Sequence, residues 1–249
     1  MDSILLAPLI FLIALIYSTV GFGGGSGYLA LLLAAGLSHE AARESALLCN
    51  LVVTSVGFYG FARAGHFAPR TVLPFLAASL PYAYLGSRLG LPQGWVVPLV
   101  AVCLLAAGWR LAFSPSSDRD VKPPAWKTAW RIGLPAGAVI GLLSGAVGVG
   151  GGIFLAPLLF KLRWADSRQI AASSSLFILW NSLSGLLGQT LSRGWTLEAP
   201  ELLPGLLAAL LGGIVGSRLG AMRLTPAVLQ RLTAVVVLVA AVQMLGKVL

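Results

Sequence analysis

The sequence GFGGG at residues 21–25 lies inside an uncharged apolar stretch that runs from residue 4 to residue 38. A second run, GVGGG at residues 148–152, lies inside the uncharged stretch 132–160. At 35 and 29 residues, both stretches are longer than the roughly 20 residues that one helix needs to cross a bilayer. Irregular backbone at membrane depth must be covered by protein or line a cavity. Each stretch is therefore predicted to form two helices joined at a glycine bend, about 4–20 with 26–36 and about 131–146 with 153–162.

Composition places the chain among membrane proteins. Hydrophobic residues make up 57% of it, charged residues 10%, and the mean hydropathy is +0.90, which excludes a soluble globular protein. The net charge of +9 comes from basic residues that lie mainly between apolar stretches. This position favours a role in bilayer orientation over nucleic-acid binding. Cys49 and Cys103 lie in apolar segments without metal-ligand spacing, so neither a metal site nor a disulfide is expected.

Eight hydrophobic segments predict an all-α polytopic membrane protein. A polar stretch containing Pro115, Pro123 and Pro124 divides it into a first membrane repeat (1–112), a linker (113–127) and a second membrane repeat (128–249). The eight uncharged segments are 4–38, 45–62, 71–87, 89–109, 132–160, 169–192, 202–217 and 232–246.

The two halves share an internal repeat. The glycine runs superpose at an offset of 127 residues, and GSRLG at 86–90 recurs at 216–220 at an offset of 130. Two matching motifs in the same order and at nearly the same spacing indicate a duplicated unit. Each half therefore consists of a broken segment followed by three ordinary ones.

The distribution of basic residues tests whether the halves have opposite orientations. If segment five crosses the membrane once, the Lys and Arg residues divide nine to eight, which specifies no orientation. If it enters and leaves on one side, they divide thirteen to four, as the positive-inside rule expects. This count favours a hairpin at segment five, inverted repeats, a cytoplasmic linker and outward-facing termini. Segment one has no basic residue before it, so the charge count does not test whether it forms a hairpin. The prediction of a hairpin there depends on the internal repeat and on the length of the segment.

The bends are candidate binding sites for a small anion. Glycine permits a tight bend, and the helix after it directs free N–H groups and the positive end of its dipole at the break. The alternative is that glycine only allows close packing or a kink. Hydroxyls and amides on the next helices could complete a pocket or instead form interhelical hydrogen bonds. The predicted substrate-binding residues are Gly23, Gly24, Gly25, Ser26, Asn50, Thr54, Gly150, Gly151, Gly152, Ser173, Ser174, Ser175 and Asn181, and further polar candidates on these helices are Ser45, Ser55, Ser182 and Gln189.

Taken together, GFGGG, GVGGG, AASSS at 171–175 and the repeated GSRLG resemble the TauE/SafE family of sulfite and organosulfonate exporters. The resemblance covers nearly the whole chain. It implies a permease of the cell inner membrane for sulfite, sulfoacetate or a related sulfur anion, with the glycines of both runs as the break elements. Ser26 and Gly27 are matched by Ile153 and Phe154, which leaves room for unequal contributions from the two hairpins.

Three classes of function remain open at this stage: an alternating-access carrier, an anion channel and a membrane enzyme. The enzyme is disfavoured because no His, Cys, Asp or Glu cluster lies within the predicted spans, so no catalytic residue or cofactor is expected. Export of an anion can run on an inside-negative potential alone, and the acidic residues, all in loops or at segment ends, predict no buried proton relay. Ion-coupled uptake stays possible because backbone carbonyls at broken helices can bind sodium. The expected partners are the anion and the lipid bilayer.

Overall fold

The structure is a computed structural model that describes residues 3–89, 93–114, 121–195 and 199–246. In these ranges the regular structure is entirely helical. The helices are α1 (Ser3–Thr19), α2 (Gly25–Ala34), α3 (His39–Arg63), α4 (Pro69–Arg88), α5 (Gln93–Phe113), α6 (Trp126–Val147), α7 (Gly152–Leu162), α8 (Ser167–Arg193), α9 (Ala199–Met222) and α10 (Pro226–Leu245).

Both glycine runs divide their segments into helix pairs, as the sequence predicted. Helix α1 ends at Thr19 and α2 begins at Gly25, while α6 ends at Val147 and α7 begins at Gly152. The start of α6 was predicted wrongly at about residue 131, because the helix begins at Trp126, inside the predicted linker 113–127. The last prolines of the linker are at 123 and 124, so the first two turns of a helix that begins at Trp126 contain no proline, and Pro135 follows further along α6. Residues 115–120 of that linker lie outside the described ranges.

The α6–α7 hairpin begins and ends at the same end of the helix bundle. The backbone N–H of Lys122, just before α6, donates to the carbonyl oxygen of Arg163, just after α7, at 2.8 Å. At this same end, the Arg168 side chain donates to the Leu224 carbonyl at 3.0 Å, which connects the start of α8 to the turn before α10. Gln230 donates to Ser114 at 3.0 Å and so joins α10 to the end of α5. We call this end the linker face.

The most extensive helix contacts join the first half of the chain to the second: α4 with α6, and α1 with α9. Both interfaces depend on glycines spaced four residues apart, which let two backbones approach closely. A Cβ added at any of these glycines would overlap a main-chain carbonyl oxygen of the facing helix, so no larger residue fits. The glycines are Gly137, Gly141 and Gly145 on α6 and Gly212, Gly216 and Gly220 on α9.

Helices α3 and α8 pack together at the centre in antiparallel directions. Asn50 Nδ2 donates to Ser182 Oγ at 3.4 Å, whereas further along α3 a Cβ at Gly57 would lie 3.2 Å from Ser175 Oγ. Residues nearer the end of α3 therefore contact residues nearer the start of α8, as antiparallel packing requires. Because α3 and α8 follow the glycine bend in their respective halves, this pair carries polar side chains from both halves into the interior.

Several helices present apolar surfaces suited to a bilayer. Of the described residues, five helical stretches are long and apolar enough to cross a membrane: those of α3, α6, α8, α9 and α10. Large apolar side chains also lie exposed at four-residue spacing on α9, as expected for a lipid-facing stripe. The protein is thus a multi-pass membrane protein, and eight crossings stay a prediction. The stripe comprises Leu203, Leu207, Leu211, Val215 and Leu219.

Candidate functional site

The first bend is buried against α3 and α8. Gly24 has φ +95°, a left-handed conformation that glycine adopts without steric cost, and it precedes the first residue of α2. A Cβ at Gly25 would lie 2.6 Å from Asn50 Nδ2, so α3 lies directly against the start of α2. From the other side, Ser175 Oγ donates to the Gly21 carbonyl at 2.9 Å. The bend is therefore held between the two central helices.

The second bend has the same construction. Gly151 has φ +81° and precedes the first residue of α7. A Cβ at Gly150 would lie 2.8 Å from Ile178, 2.9 Å from Ser182 Oγ and 3.0 Å from Asn50 Nδ2. Both bends therefore contact α3 and α8, and Asn50 contacts both bends.

Asn50 is the residue at which the two halves meet. Its side chain is fully buried, and its amide lies between the first bend and Gly150 of the second. Its Nδ2 donates to Ser182, whereas its Oδ1 has no hydrogen-bond partner among the described residues. A buried amide oxygen without a partner costs free energy, about 1–3 kcal/mol. The site is thus polar and incompletely satisfied where the bends converge.

The helices that begin at the bends differ in capping from the helices that follow them. In α3, Ser38 Oγ accepts from the Ala41 N–H at 3.2 Å, and in α8 the Asp166 side chain forms a capping box with Gln169. Gly24 and Gly151, the N-caps of α2 and α7, can offer no side-chain acceptor to the first-turn N–H groups. Uncapped N-termini that face a polar interior are suited to bind an anion.

Arg43 and Glu44 are residues of this region that the sequence analysis missed. Both lie in the second turn of α3 and are buried, at 5% and 0% exposure. The Arg43 guanidinium donates to the Gly145 carbonyl, and a Cβ at Gly148 would lie 2.6 Å from Arg43 Nε. Gln189 Nε2 lies 3.4 Å from Glu44 Oε1. The prediction that every acidic residue lies in a loop or at a segment end was wrong for Glu44, because α3 begins at His39 and carries Glu44 into the interior.

The remaining predicted residues near the bends have varied partners. Ser26 is buried and lies 3.1 Å from the Tyr17 hydroxyl, within the first hairpin. The Thr54 hydroxyl donates to the Asn50 carbonyl at 2.6 Å, so only its methyl group faces Gly23. Ser173 and Ser174 are fully buried, and their hydroxyls have no hydrogen-bond partner in the described part of the chain.

Some predicted polar residues lie elsewhere. Asn181 points toward α4, where its amide donates to Ser79 Oγ at 3.0 Å, and it also bonds the Phe177 carbonyl at 2.8 Å. Ser55 is exposed and bonds the Leu51 carbonyl of its own helix. Position along a helix was visible in the sequence, but the direction of each side chain depends on how α3 and α8 pack.

Comparison with known proteins gives one family and one curated relative. The family model "Sulfite exporter TauE/SafE" matches residues 6–244. The "Probable membrane transporter protein y4hK" of Sinorhizobium fredii (strain NBRC 101917 / NGR234) is 33% identical over 246 residues, which is 98% of each chain. No solved structure matches the chain.

Proposed function

Because the chain belongs to the sulfite exporter TauE/SafE family of membrane transporters, we propose that it exports a small sulfur oxyanion, sulfite or an organosulfonate such as sulfoacetate. The observation that carries this proposal is the convergence of two uncapped helix N-termini on the buried side chain of Asn50. Such a site attracts negative charge through backbone N–H groups and helix dipoles. A transported ion must also leave, and a site with few formal charges holds it less tightly.

The proposed site combines elements of both bends. The N–H groups at the starts of α2 and α7 donate to the anion, and the buried hydroxyls of Ser173 and Ser174 supply further donors. Arg43 contributes the formal positive charge close to the second bend. Ser26 supports the first hairpin through Tyr17, and Asn181 anchors α8 on α4, so these two hold the site from outside.

The proposed topology consists of eight membrane segments in two inverted repeats. The antiparallel contacts of α3 with α8 support it, since these helices hold equivalent places in the two halves. The bond from Lys122 to Arg163 supports a re-entrant α6–α7 hairpin, and the repeat extends this arrangement to α1–α2. The thirteen-to-four division of basic residues supports a cytoplasmic linker and outward-facing termini, and the proposed location is the cell inner membrane.

A carrier mechanism fits the burial of the bends. The residues from Tyr17 to Leu29 and from Gly148 to Ile153 are buried in this conformation, so the site is closed to both sides. Alternating access then requires one side to open at a time. Outward movement of one negative charge across an inside-negative membrane is favoured by about 2.3 kcal/mol per 100 mV. Membrane potential alone can therefore drive export.

Radiotracer flux from proteoliposomes tests this function. Purified protein is reconstituted with labelled sulfite or sulfoacetate, and a potassium diffusion potential is imposed in either direction. We expect efflux that saturates with substrate and accelerates when the substrate side is negative. Non-saturating flux would indicate a channel, and absence of flux for every sulfur oxyanion would contradict the proposed substrate.

Reporter fusions test the topology separately. Fusions after Lys161 and after Arg119 are both expected to report the cytoplasm, because α6 and α7 together enter and leave on one side. Opposite locations for the two fusions would contradict the α6–α7 hairpin. This result does not depend on which anion is transported.

A further inference from the structure

A cavity of about 810 Å³ lies away from the glycine bends, between α5 and the α6–α7 hairpin. Its walls come from four helices, since Gln230 of α10 closes the end near the linker face. We call this cavity the lateral crevice. Its lining includes Leu104, Arg110, Ala136, Val139, Phe154, Lys161 and Arg163.

The lateral crevice has a basic end and an apolar end. Arg110 and Lys161 lie in the last turns of α5 and α7, and Arg163 is the C-cap residue of α7. All three are exposed. They mark the linker face, because the Arg163 carbonyl accepts from Lys122 there. Toward the bilayer interior the walls are apolar and include Leu104 and Phe154.

The depth of the crevice matches one leaflet of a bilayer. From Phe154 to Arg163 the chain advances nine residues, and at 1.5 Å per residue this distance is about 14 Å. The hydrocarbon core is roughly 30 Å thick, so the crevice reaches about its midplane. Cations at one end and an apolar wall of this depth match the shape of a phospholipid.

We propose that the lateral crevice binds an anionic phospholipid, with its phosphate at Arg110, Lys161 and Arg163 and an acyl chain along Phe154 and Val139. Basic pockets between transmembrane helices on the cytoplasmic side bind anionic head groups, and each cation near the surface strengthens binding about fivefold. The inference depends on the membrane location of the chain and goes beyond the proposed transport of sulfur oxyanions.

The internal repeat provides a natural comparison for this site. At the repeat offset of 130, Arg110 corresponds to Ala240, and at the offset of 127, Lys161 and Arg163 correspond to Ala34 and Gly36. None of the three cations has a basic counterpart in the other half, and all three lie at the linker face. Binding is expected in the cytoplasmic leaflet, where anionic lipids are attracted to basic residues.

Native mass spectrometry of the purified protein tests the proposal. The protein is titrated with an equimolar mixture of phosphatidylglycerol and phosphatidylcholine that have identical acyl chains. We expect at least tenfold preference for phosphatidylglycerol in wild type and nearly equal retention in Arg110→Gln/Lys161→Gln/Arg163→Gln. The matched control Arg63→Gln/Arg131→Gln/Arg231→Gln removes the same charge from exposed positions outside the crevice lining and should keep the preference.

A second variant separates the crevice from general surface charge. Ala136→Trp fills the apolar wall but keeps all three cations, so it should also lose retained phosphatidylglycerol. If thermal melting shows that the triple variant folds poorly, the single variants Arg110→Gln and Lys161→Gln replace it. Each single variant should lose part of the preference for phosphatidylglycerol. Equal retention of both lipids by wild type, or equal loss in the control triple variant, would overturn the proposal.

Discussion

The two glycine bends have nearly the same backbone but different neighbours. Helices α3 and α8 begin 128 residues apart, at His39 and Ser167, and each contacts both bends. At this offset the residues that contact the bends differ: Asn50 of α3 aligns with Ile178 of α8, and Arg43 aligns with Ala171. Thus Gly148 packs on a guanidinium side chain, whereas Gly21 packs on the alanine backbone. The two bends therefore share their helix geometry, but among the described residues only the second bend packs on a buried cation. We therefore expect the second bend to dominate the attraction of the anion.

The largest expected effect is at Gly151. In Gly151→Leu, a side chain enters space whose Cβ position already lies 2.9 Å from Phe177 and 3.0 Å from Ser144 Oγ, so flux should fall to background in the proteoliposome assay. Gly194→Leu is the matched control, because Gly194 has the same φ of +81° and nothing lies within 4 Å of its Cβ position. Equal flux in the two variants would show that the second bend is not on the transport path.

The equivalent substitution at the first bend sharpens the comparison. A Cβ at Gly24 would lie 2.8 Å from Tyr28 and 3.0 Å from Ile13, both within its own hairpin. Gly24→Leu is therefore expected to reduce flux less than Gly151→Leu at equal protein yield. A greater loss in Gly24→Leu would reverse the assignment of the dominant bend.

The next largest effect is expected from removing the buried cation. Hydrogen bonds to charged groups contribute about 1.5–3 kcal/mol, so Arg43→Gln should raise the KM for sulfite roughly tenfold or more. Arg88→Gln removes a cation that bonds the Tyr84 hydroxyl in an exposed contact, and its KM should stay near wild type.

A double variant checks whether Arg43 acts only on stability. Arg43→Gln/Glu44→Gln removes both buried charges of the second turn of α3, so it leaves no single buried charge in that turn. We expect it to melt closer to wild type than Arg43→Gln while keeping the raised KM. Recovery of KM together with stability would mean that Arg43 is structural.

A smaller effect is expected at Asn50. A neutral hydrogen bond contributes about 0.5–1.5 kcal/mol, so Asn50→Leu should raise KM roughly 2- to 12-fold. The swap Asn50→Leu/Ile178→Asn moves the amide to the equivalent position of the other half and should recover part of this loss. No change in KM for Asn50→Leu would remove Asn50 from the site.

Thr54→Val is expected to have the smallest effect. The Thr54 hydroxyl already donates to the Asn50 carbonyl of its own helix. Valine therefore loses only this hydrogen bond within α3 and keeps the methyl group that contacts Gly23. Flux and KM should stay within about twofold of wild type. Ser182→Ala should exceed it, because Ser182 accepts from Asn50. The reverse order would show that the threonine hydroxyl turns to the substrate.

Sequence alone located the bends because helix length and glycine spacing are local properties. It also identified Asn50 and the serines of α8 as polar residues near them, although their use in binding stays a prediction. Arg43 and Glu44 were missed because charges beside an uncharged segment were interpreted as its boundary, whereas α3 begins at His39, six residues before that segment. The orientation of Asn181 toward Ser79 depends on the α4–α8 contact, which no local pattern encodes. The glycine stripe at 137, 141 and 145 was visible in the sequence, but its partner helix was not.

The pairing of α1 with α9 has a consequence for biosynthesis. Helix α1 is synthesised well before α9, the helix that packs along it, which begins only at Ala199. Until α9 has been synthesised, α1 and its glycine bend must therefore stay in the membrane or with an insertion factor without this partner. The first bend is therefore synthesised early, but the packing of α1 on α9 forms late. A chain that stops before residue 199 leaves that face of α1 exposed to the quality-control proteases of the membrane.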